Sequence, residues 1–189
     1  MTRLRCRRVE VASATVPLYS DCRYPHRMPH SLTVISGGQT GVDRGALDAA
    51  LELGAPCGGW CPNGRKAEDG PIPDRYPLTE LKGTDYPART RRNVEDSDAT
   101  LIIYNSRLSG GTQLTLDCCR ELGRPVCLVD AATASAKEGA RIARAFVATH
   151  DTRRLNVAGP RASHWPQAQH FAHDLIQALL TEPIITGTT

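Results

Sequence analysis

Residues 36–50 read SGGQTGVDRGALDAA and connect a short apolar run, residues 32–35, to a segment with helical spacing. Apolar residues recur every three or four positions from Val42 to Leu53, which predicts a helix that ends before Gly54. Glycines between a strand and a helix let the backbone approach a ligand and leave amide N–H groups free to hold an anion. The stretch therefore predicts a strand–loop–helix unit with an anion-binding loop; the alternative is a tight turn that needs glycine for its geometry alone.

The same succession of strand and helix recurs along the rest of the chain. Residues 100–104, TLIIY, form an unbroken apolar run that is typical of a strand buried on both faces. This pattern predicts an α/β fold, a Rossmann-like doubly wound and mostly parallel sheet with helices on both faces. The predicted strands lie at 32–35, 100–104, 126–129 and 155–157, and the predicted helices at 42–53, 87–96, 114–122, 142–147 and 168–179.

Residues 57–82 interrupt this alternation with a segment rich in glycine, proline and charged residues. Read as a loop, the segment is longer than the connections of most compact domains, and long loops often carry a binding function. We therefore expect residues 57–82 to be a binding loop rather than a plain connection.

Charge is distributed unevenly along the chain. Residues 1–30 contain six arginines and two acidic residues, a net charge of +4, whereas the whole chain carries +3. Prolines and a shortage of apolar residues in this segment favour a disordered basic extension over a nucleic-acid-binding arm, and Met28 as the true start is a further alternative. Residues 31–182 are then expected to form a single Rossmann-like domain, and residues 183–189 a short tail.

No apolar run is long enough to span a membrane and no secretory signal pattern is present, which predicts a cytoplasmic protein without a membrane or nucleic-acid partner. The seven cysteines are an odd number and lack the spacing of a disulfide framework. Cys57 and Cys61 have no second matching pair, and His170 and His173 point away from the apolar stripe of their helix. No metal site is therefore predicted.

A second glycine-rich loop follows the TLIIY strand. Ser109, Gly110 and Gly111 precede another predicted helix, in the sequence NSRLSGGTQLT. In a doubly wound sheet the loops after parallel strands converge at the carboxyl edge, where ligands bind. A third segment, AGPRAS at residues 158–163, follows another strand and adds Arg161 to that edge.

Basic residues in the long segment and on the helix at 87–96 supply positive charge for an anion held by these loops. Arg89 and Arg92, or Asn93, share one face of that helix, although a solvated surface is the usual location of such residues. Since no Ser-His-Asp order, HExxH motif or pair of catalytic glutamates stands out, ligand binding is favoured over hydrolysis and no catalytic residue is assigned. The predicted ligand-binding residues are Gly37, Gly38, Gln39, Thr40, Gly41, Arg65, Lys66, Arg89, Arg92, Asn93, Ser109, Gly110, Gly111, Thr112, Thr115 and Arg161.

Five stretches of the chain, in this order, resemble the putative molybdenum carrier family, relatives of the molybdenum cofactor carrier proteins. They are SGGQTGVDRGALDAALELG, GGWCPNGRKAEDGPIPDRYPLTEL, RTRRNVEDSDATLIIY, SGGTQLT and LNVAGPRAS, and the resemblance covers about residues 32–180. It implies a Rossmann-like fold shared with the lysine-decarboxylase-like phosphoribohydrolases. It also implies a role in holding the molybdenum cofactor (molybdopterin) or a related anionic ligand.

Molybdopterin carries a phosphate and an oxo-molybdenum head, and amide-lined loops and arginine are suited to bind both groups. The resemblance further implies a homo-oligomer, commonly a tetramer in the carrier proteins. The glycine loops of the family correspond here to Gly37, Gly38, Thr40 and Gly41, and to Ser109, Gly110, Gly111, Thr112 and Thr115.

The phosphoribohydrolase relatives carry the motif PGGxGTxxE, which would fall here on residues 109–117. Ser109 replaces the proline, Gln113 and Leu114 replace Gly-Thr, and Asp117 replaces the glutamate. These departures weigh against nucleoside-monophosphate hydrolysis, although Asp117 retains a carboxylate. The sequence thus predicts a binding protein that stores or transfers a phosphate-bearing ligand; the alternatives are a phosphoribohydrolase-like enzyme and a nucleotide-sensing module.

Overall fold

The computed structural model describes residues 32–82 and 86–181. The predicted basic extension at 1–30 and the predicted tail at 183–189 lie outside the described residues.

Six parallel strands form the central sheet of the described chain, in the order β5-β2-β1-β8-β6-β7. A separate antiparallel hairpin is formed by β3 and β4. The Rossmann-like sheet predicted from the sequence is therefore confirmed. In chain order, β1 to β8 span Thr33–Ile35, Cys57–Pro62, Lys66–Ala67, Gly70–Pro71, Leu78–Leu81, Ala99–Tyr104, Val126–Asp130 and Arg154–Ala158.

Helices cover both faces of the sheet. In chain order, α1 to α5 span Val42–Glu52, Tyr86–Glu95, Gly110–Glu121, Ala136–Thr149 and Ala168–Thr181, and a short 3-10 turn lies at Asn63–Arg65. Helix α5 packs between α1 and α4 on one face, while α2 packs on α3 at the other. None of the helices in the described part of the chain is long and apolar enough to cross a membrane.

The apolar runs that predicted the strands lie at the centre of the core. Val34, Leu101, Ile103, Leu155 and Val157 come from the three middle strands, and all five are fully buried. Burial of each such side chain contributes about 1.5 to 3 kcal/mol relative to an exposed position. These strands therefore fix the position of the loops that follow them.

The prediction of a loop over residues 57–82 was wrong, because two strands of the central sheet, β2 and β5, lie in it. The glycines of this segment favour a loop when the sequence is read alone. Gly59 lies inside β2 with a φ of 138°, and a Cβ there would overlap the carbonyl oxygen of Ser36, the residue directly after β1. Glycine is therefore needed for close contact between strands and not for a turn.

Helices α1 and α5 approach each other closely at Gly45. A Cβ at this position would overlap the backbone carbonyl oxygen of Gln169. Gly111, at the start of α3, offers the opposite case, since nothing lies within 4 Å of where its Cβ would be.

We expect Gly45→Ala to lower the free energy of unfolding by about 1 to 3 kcal/mol, because the added methyl group meets backbone that cannot move independently. Gly111→Ala is the matched control and should change the stability by less than about 1 kcal/mol. Urea denaturation followed by circular dichroism measures both variants. Equal stability of the two proteins would contradict the close packing of α1 on α5.

Candidate functional site

A small polar cavity lies at the carboxyl edge of the sheet. Its volume is about 10 Å³, which is roughly the space that one water molecule requires. Loop, strand and helix residues line it together: Gly37, Asp43, Arg89, Thr90, Asn93, Thr115, Asn156, Val157 and Ala158.

The sheet order explains why these residues meet. Strand β8 lies between β1 and β6, so the loops that leave these three parallel strands share one edge. The structure brings together four of the predicted residues, Gly37, Arg89, Asn93 and Thr115. The first glycine loop reaches the cavity through Gly37, whereas from the second glycine-rich segment only Thr115, inside α3, lines it.

Arg89 of α2 is largely buried, with 13% of its side chain exposed. Its guanidinium lies directly on Gly37, where a Cβ would overlap it. The Nε–H is buried and has no hydrogen-bond acceptor among the described residues. Since a buried donor without an acceptor costs about 1 to 3 kcal/mol, this group is suited to bind a water molecule or a ligand oxygen.

Asp43, in the first turn of α1, is the anion that faces Arg89. Its Oδ2 lies 3.4 Å from the Arg89 guanidinium and accepts a hydrogen bond from the backbone N–H of Gln39 at 3.2 Å. Burial raises the pKa of the Asp43 carboxyl, and the positive charge of Arg89 and the N–H groups of Gln39 and Gly37 oppose that rise.

The first glycine loop therefore already holds an anion of its own. The sequence predicted that the loop amides would be free for a ligand, whereas the carboxylate of Asp43 uses those of Gln39 and Gly37. Asp43 was not among the predicted ligand-binding residues. An acidic residue placed where an anion was expected is the signal that could have identified it.

The other glycines of this loop serve close packing. Gly38 has a φ of 76° and lies against the side chains of Leu78 and Ile72. Gly41 has a φ of 80°, and a Cβ there would overlap the backbone oxygen of Pro160. Neither glycine lines the cavity, so the geometric alternative left open by the sequence applies to both.

The β3–β4 hairpin is fastened to the same loop by two acidic residues, Glu68 and Asp69, which we name the clamp. The Glu68 carboxylate accepts hydrogen bonds from the hydroxyl of Thr40 and from Ser163. Asp69 accepts two from the guanidinium of Arg44, at 2.6 and 2.7 Å. Thr40 therefore bonds within the protein and does not line the cavity.

Gln39 and Arg161, two further predicted residues, also contact the clamp. The side-chain oxygen of Gln39 accepts from the backbone N–H groups of Thr40 and Glu68, each at 3.0 Å. The Arg161 guanidinium lies 3.8 Å from the Glu68 carboxylate. These contacts hold the segment at 158–163 and the hairpin against the first glycine loop.

Arg65 organises the segment that precedes β5. Its guanidinium donates to the backbone oxygens of Ile72, Pro73, Tyr76 and Leu78 at 2.9 to 3.3 Å. The exposed Lys66 lies in β3. The structure thus places neither of these predicted residues in the cavity lining.

Helix α2 is held to β2 through Asn93, whose side-chain amide exchanges two hydrogen bonds with the backbone of Trp60, at 2.8 and 3.0 Å. Arg92 lies over the Trp60 ring, 5.2 Å from its centroid, and pairs with Asp96. Asn93 therefore holds in place the part of α2 that carries Arg89, which lies one helical turn before it. Arg92 lies outside the cavity lining.

The second glycine loop is open. Ser109, Gly110 and Gly111 are exposed, and nothing lies within 4 Å of a Cβ placed at either glycine. Within the described chain, the backbone N–H groups of Gly110 and Gly111 have no acceptor. Thr112 and Thr115 are buried behind them, and the Thr115 hydroxyl donates to the Gly111 oxygen at 2.9 Å. The start of α3 therefore presents unpaired N–H groups, at the positive end of the helix dipole, to open space.

Besides Asp43, the sequence interpretation missed four cavity residues, of which two are polar, Thr90 and Asn156, and two apolar, Val157 and Ala158. Asn156 is a buried polar residue between apolar residues of β8, and its amide donates to the Thr100 hydroxyl at 3.3 Å. A polar residue within the run LNVA was the available signal. Thr90 carried no signal of its own, since it lies in a charged helical segment.

Comparison with known proteins identifies the relatives of the chain. Residues 34–180 match the circularly permutated YpsA SLOG family. A crystal structure described as a putative molybdenum carrier protein from Syntrophus aciditrophicus SB is 40% identical, with a TM-score of 0.78, and the match covers 80% of this chain and 97% of that one. No curated protein matches the chain. The resemblance to the molybdenum carrier family is thereby confirmed.

The clamp can be tested without altering the cavity. We expect Asp69→Ala to increase amide hydrogen exchange over residues 66–71 about tenfold, because the two hydrogen bonds from Arg44 are lost. Asp74→Ala is the matched control, since Asp74 is fully exposed and lies 3.6 Å from Arg65 in a single contact. Exchange is followed by mass spectrometry; unchanged protection in Asp69→Ala would show that the hairpin is held by other contacts.

Proposed function

This chain belongs to the circularly permutated YpsA SLOG family, and we propose that the protein binds the molybdenum cofactor, as an anionic phosphate-bearing ligand, for storage or transfer. The proposal concerns the carboxyl edge of the sheet. The description of its crystallographic neighbour as a molybdenum carrier supports this choice of ligand class.

One observation carries the proposal: the buried guanidinium of Arg89, with an unused Nε–H, lies in the cavity that Thr115 of α3 also lines. Arginine binds phosphate oxygens through charge-assisted hydrogen bonds. The free N–H groups of Gly110 and Gly111 add the positive end of a helix dipole at the same edge. Together they offer both kinds of donor that an oxyanion requires.

The size of the cavity limits how the cofactor would fit. About 10 Å³ admits an oxygen atom but no pterin. A phosphate or oxo group would therefore be the part that reaches Arg89, while the organic part would lie outside, over the open start of α3. In the described residues, no group of three His, Cys, Asp or Glu side chains could hold a metal ion, so the proposed contacts are made to the anionic groups of the ligand.

The phosphoribohydrolase alternative receives no support from the position of Asp117. Its carboxylate accepts a hydrogen bond from the Gln113 amide at 2.9 Å, lies 3.7 Å from Arg120, and does not line the cavity. We therefore retain the binding function. The homo-oligomer, the absence of nucleic-acid and membrane partners and the cytoplasmic location stay predictions.

The direct test is the content of the protein purified without tag or added cofactor from a molybdate-fed host. Molybdenum is measured by mass spectrometry and pterin by the fluorescence of its oxidised, acid-released form. We expect both in similar, near-stoichiometric amounts. If neither is found and isolated cofactor also fails to bind, the molybdenum ligand is excluded, and nucleotides become the next compounds to examine.

We expect Arg89→Gln to weaken the binding of isolated molybdenum cofactor about 10- to 100-fold, because a charge-assisted contact worth about 1.5 to 3 kcal/mol is lost. Arg92→Gln is the matched control on the same helix, and its affinity should change less than about threefold, since Arg92 lies on Trp60. Pterin fluorescence titration measures both. Equal effects of the two variants would contradict a special role of Arg89.

We further expect Gly111→Val to abolish cofactor binding while the protein stays folded. The space around Gly111 is open, so the valine causes no internal clash but prevents an anion from approaching the N–H groups at the start of α3. Thermal unfolding serves as the control for the fold. Unchanged affinity would mean that the ligand does not use this helix terminus.

A further inference from the structure

Asp43 and Arg89 form a buried ion pair at the position where the proposed ligand would bring a further negative charge. Only 6% of the Asp43 side chain and 13% of the Arg89 side chain are exposed. The two charges balance each other in the free protein. An anionic ligand that contacts Arg89 would bring a second negative charge to a single cation.

We propose that binding of an anionic ligand at this cavity is coupled to protonation of Asp43, which gives up its share of Arg89 to the incoming oxyanion. This inference rests on the proposed function, because it concerns the same site. The inference adds that the protein takes up a proton together with the anion, and that the carboxyl group of Asp43 holds this proton.

The surroundings of Asp43 support this assignment. The other polar side chains of the cavity, Thr90, Asn93, Thr115 and Asn156, are uncharged. The loop contributes backbone N–H groups and the uncharged hydroxyl of Ser36. Among the described residues, Arg89 is the cation in an ion pair with Asp43.

Two nearby ionisable groups do not alter this balance. Arg44, the residue next to Asp43, directs its guanidinium at Asp69 and at the backbone oxygen of Gly38. Burial raises the pKa of the Cys61 thiol in β2, despite the positive charges of Arg65 and Arg89, so it stays neutral. Among the residues that the structure describes, a second negative charge therefore finds no further compensating cation in the cavity.

Physical chemistry then favours a proton on Asp43. A buried carboxylate without a paired cation is costly, and such a group becomes neutral when a proton is available. Burial already raises the pKa of Asp43 in the free protein. Loss of Arg89 to the ligand and the added negative charge both raise it further. Protonation also leaves one carboxyl oxygen to accept the Gln39 N–H, so the loop keeps its conformation.

The direction of the pH dependence follows from this change. Since the pKa of Asp43 is higher in the bound state than in the free state, binding takes up a proton. Affinity for the anion therefore increases as the pH falls through the interval between the two pKa values, by at most about tenfold per pH unit for one proton.

Asp43→Asn is the informative variant. The amide keeps an oxygen that can accept the Gln39 N–H but carries no charge, and thus resembles the protonated carboxyl. We expect this variant to bind an anion more tightly than the wild type, by about fivefold or more near pH 8, and without proton uptake. If Asp43 served only to hold the loop in its conformation, Asp43→Asn would instead weaken the binding of the anion.

The probe is sulfate, which keeps a constant charge over the range of the measurement, with molybdate as a second tetrahedral oxyanion. Titration calorimetry on the full chain, in buffers of different ionisation enthalpy at about pH 6 and about pH 8, gives both the affinity and the number of protons bound. We expect wild-type protein to take up a substantial fraction of one proton per anion, and Asp43→Asn to take up none.

The outcomes separate the two proposals. Anion binding by the wild type without proton uptake, or equal uptake by Asp43→Asn, overturns the coupling and leaves the binding site intact. Binding by Asp43→Asn alone supports the coupling, because the carboxylate then acts as the competitor. No binding by either protein, with molybdenum cofactor also unbound, overturns both proposals. If Asp43→Asn does not fold, Arg89→Gln replaces it, and persistent proton uptake in that variant contradicts the proposal.

Discussion

Three backbone positions without a side chain determine how the edge of this sheet is built. Gly37 lies under the guanidinium of Arg89, Gly38 under the side chains of Ile72 and Leu78, and Gly41 against the segment after β8. A methyl group at any of them would push its neighbour away. The first glycine loop is thus the point where α2, the segment at 57–82 and the segment after β8 meet. Of these three contacts, the one between Gly37 and Arg89 lines the cavity.

Most charges near this edge are already paired, which narrows the choice of ligand-binding groups. Asp69 holds Arg44, Glu68 accepts from the first loop and the segment at 158–163, and Arg65 donates to four backbone oxygens. Such contacts stabilise the edge and use these side chains within the protein. The Nε–H of Arg89 and the N–H groups at the open start of α3 differ, because they lack acceptors in the described chain.

The fold could be read from the sequence where burial imposes a simple pattern. The runs at 32–35 and 100–104 lie on buried strands and were recognised from their apolar residues. The strands within 57–82 could not be recognised, because β2 uses glycine for close contact with β1 and β5 lies at the edge of the sheet. In the site, Arg89 was predicted as a basic residue on the helix at 87–96. Asp43 was not, because its burial against Arg89 of α2 depends on tertiary packing, although its place after the glycines was a visible signal.

Two loops of similar composition thus differ in what occupies them. Both place glycines between a strand and a helix, and local sequence alone assigns the same anion-binding potential to each. In the first loop an acidic residue follows the last glycine by two positions and enters the amide cradle. In the second no acidic residue lies within the first turn of α3, and the cradle faces outward. Whether the amides of these two loops are used within the protein or stay open therefore depends on the residues at the start of the following helix, and on a cation such as Arg89 that holds the carboxylate in place.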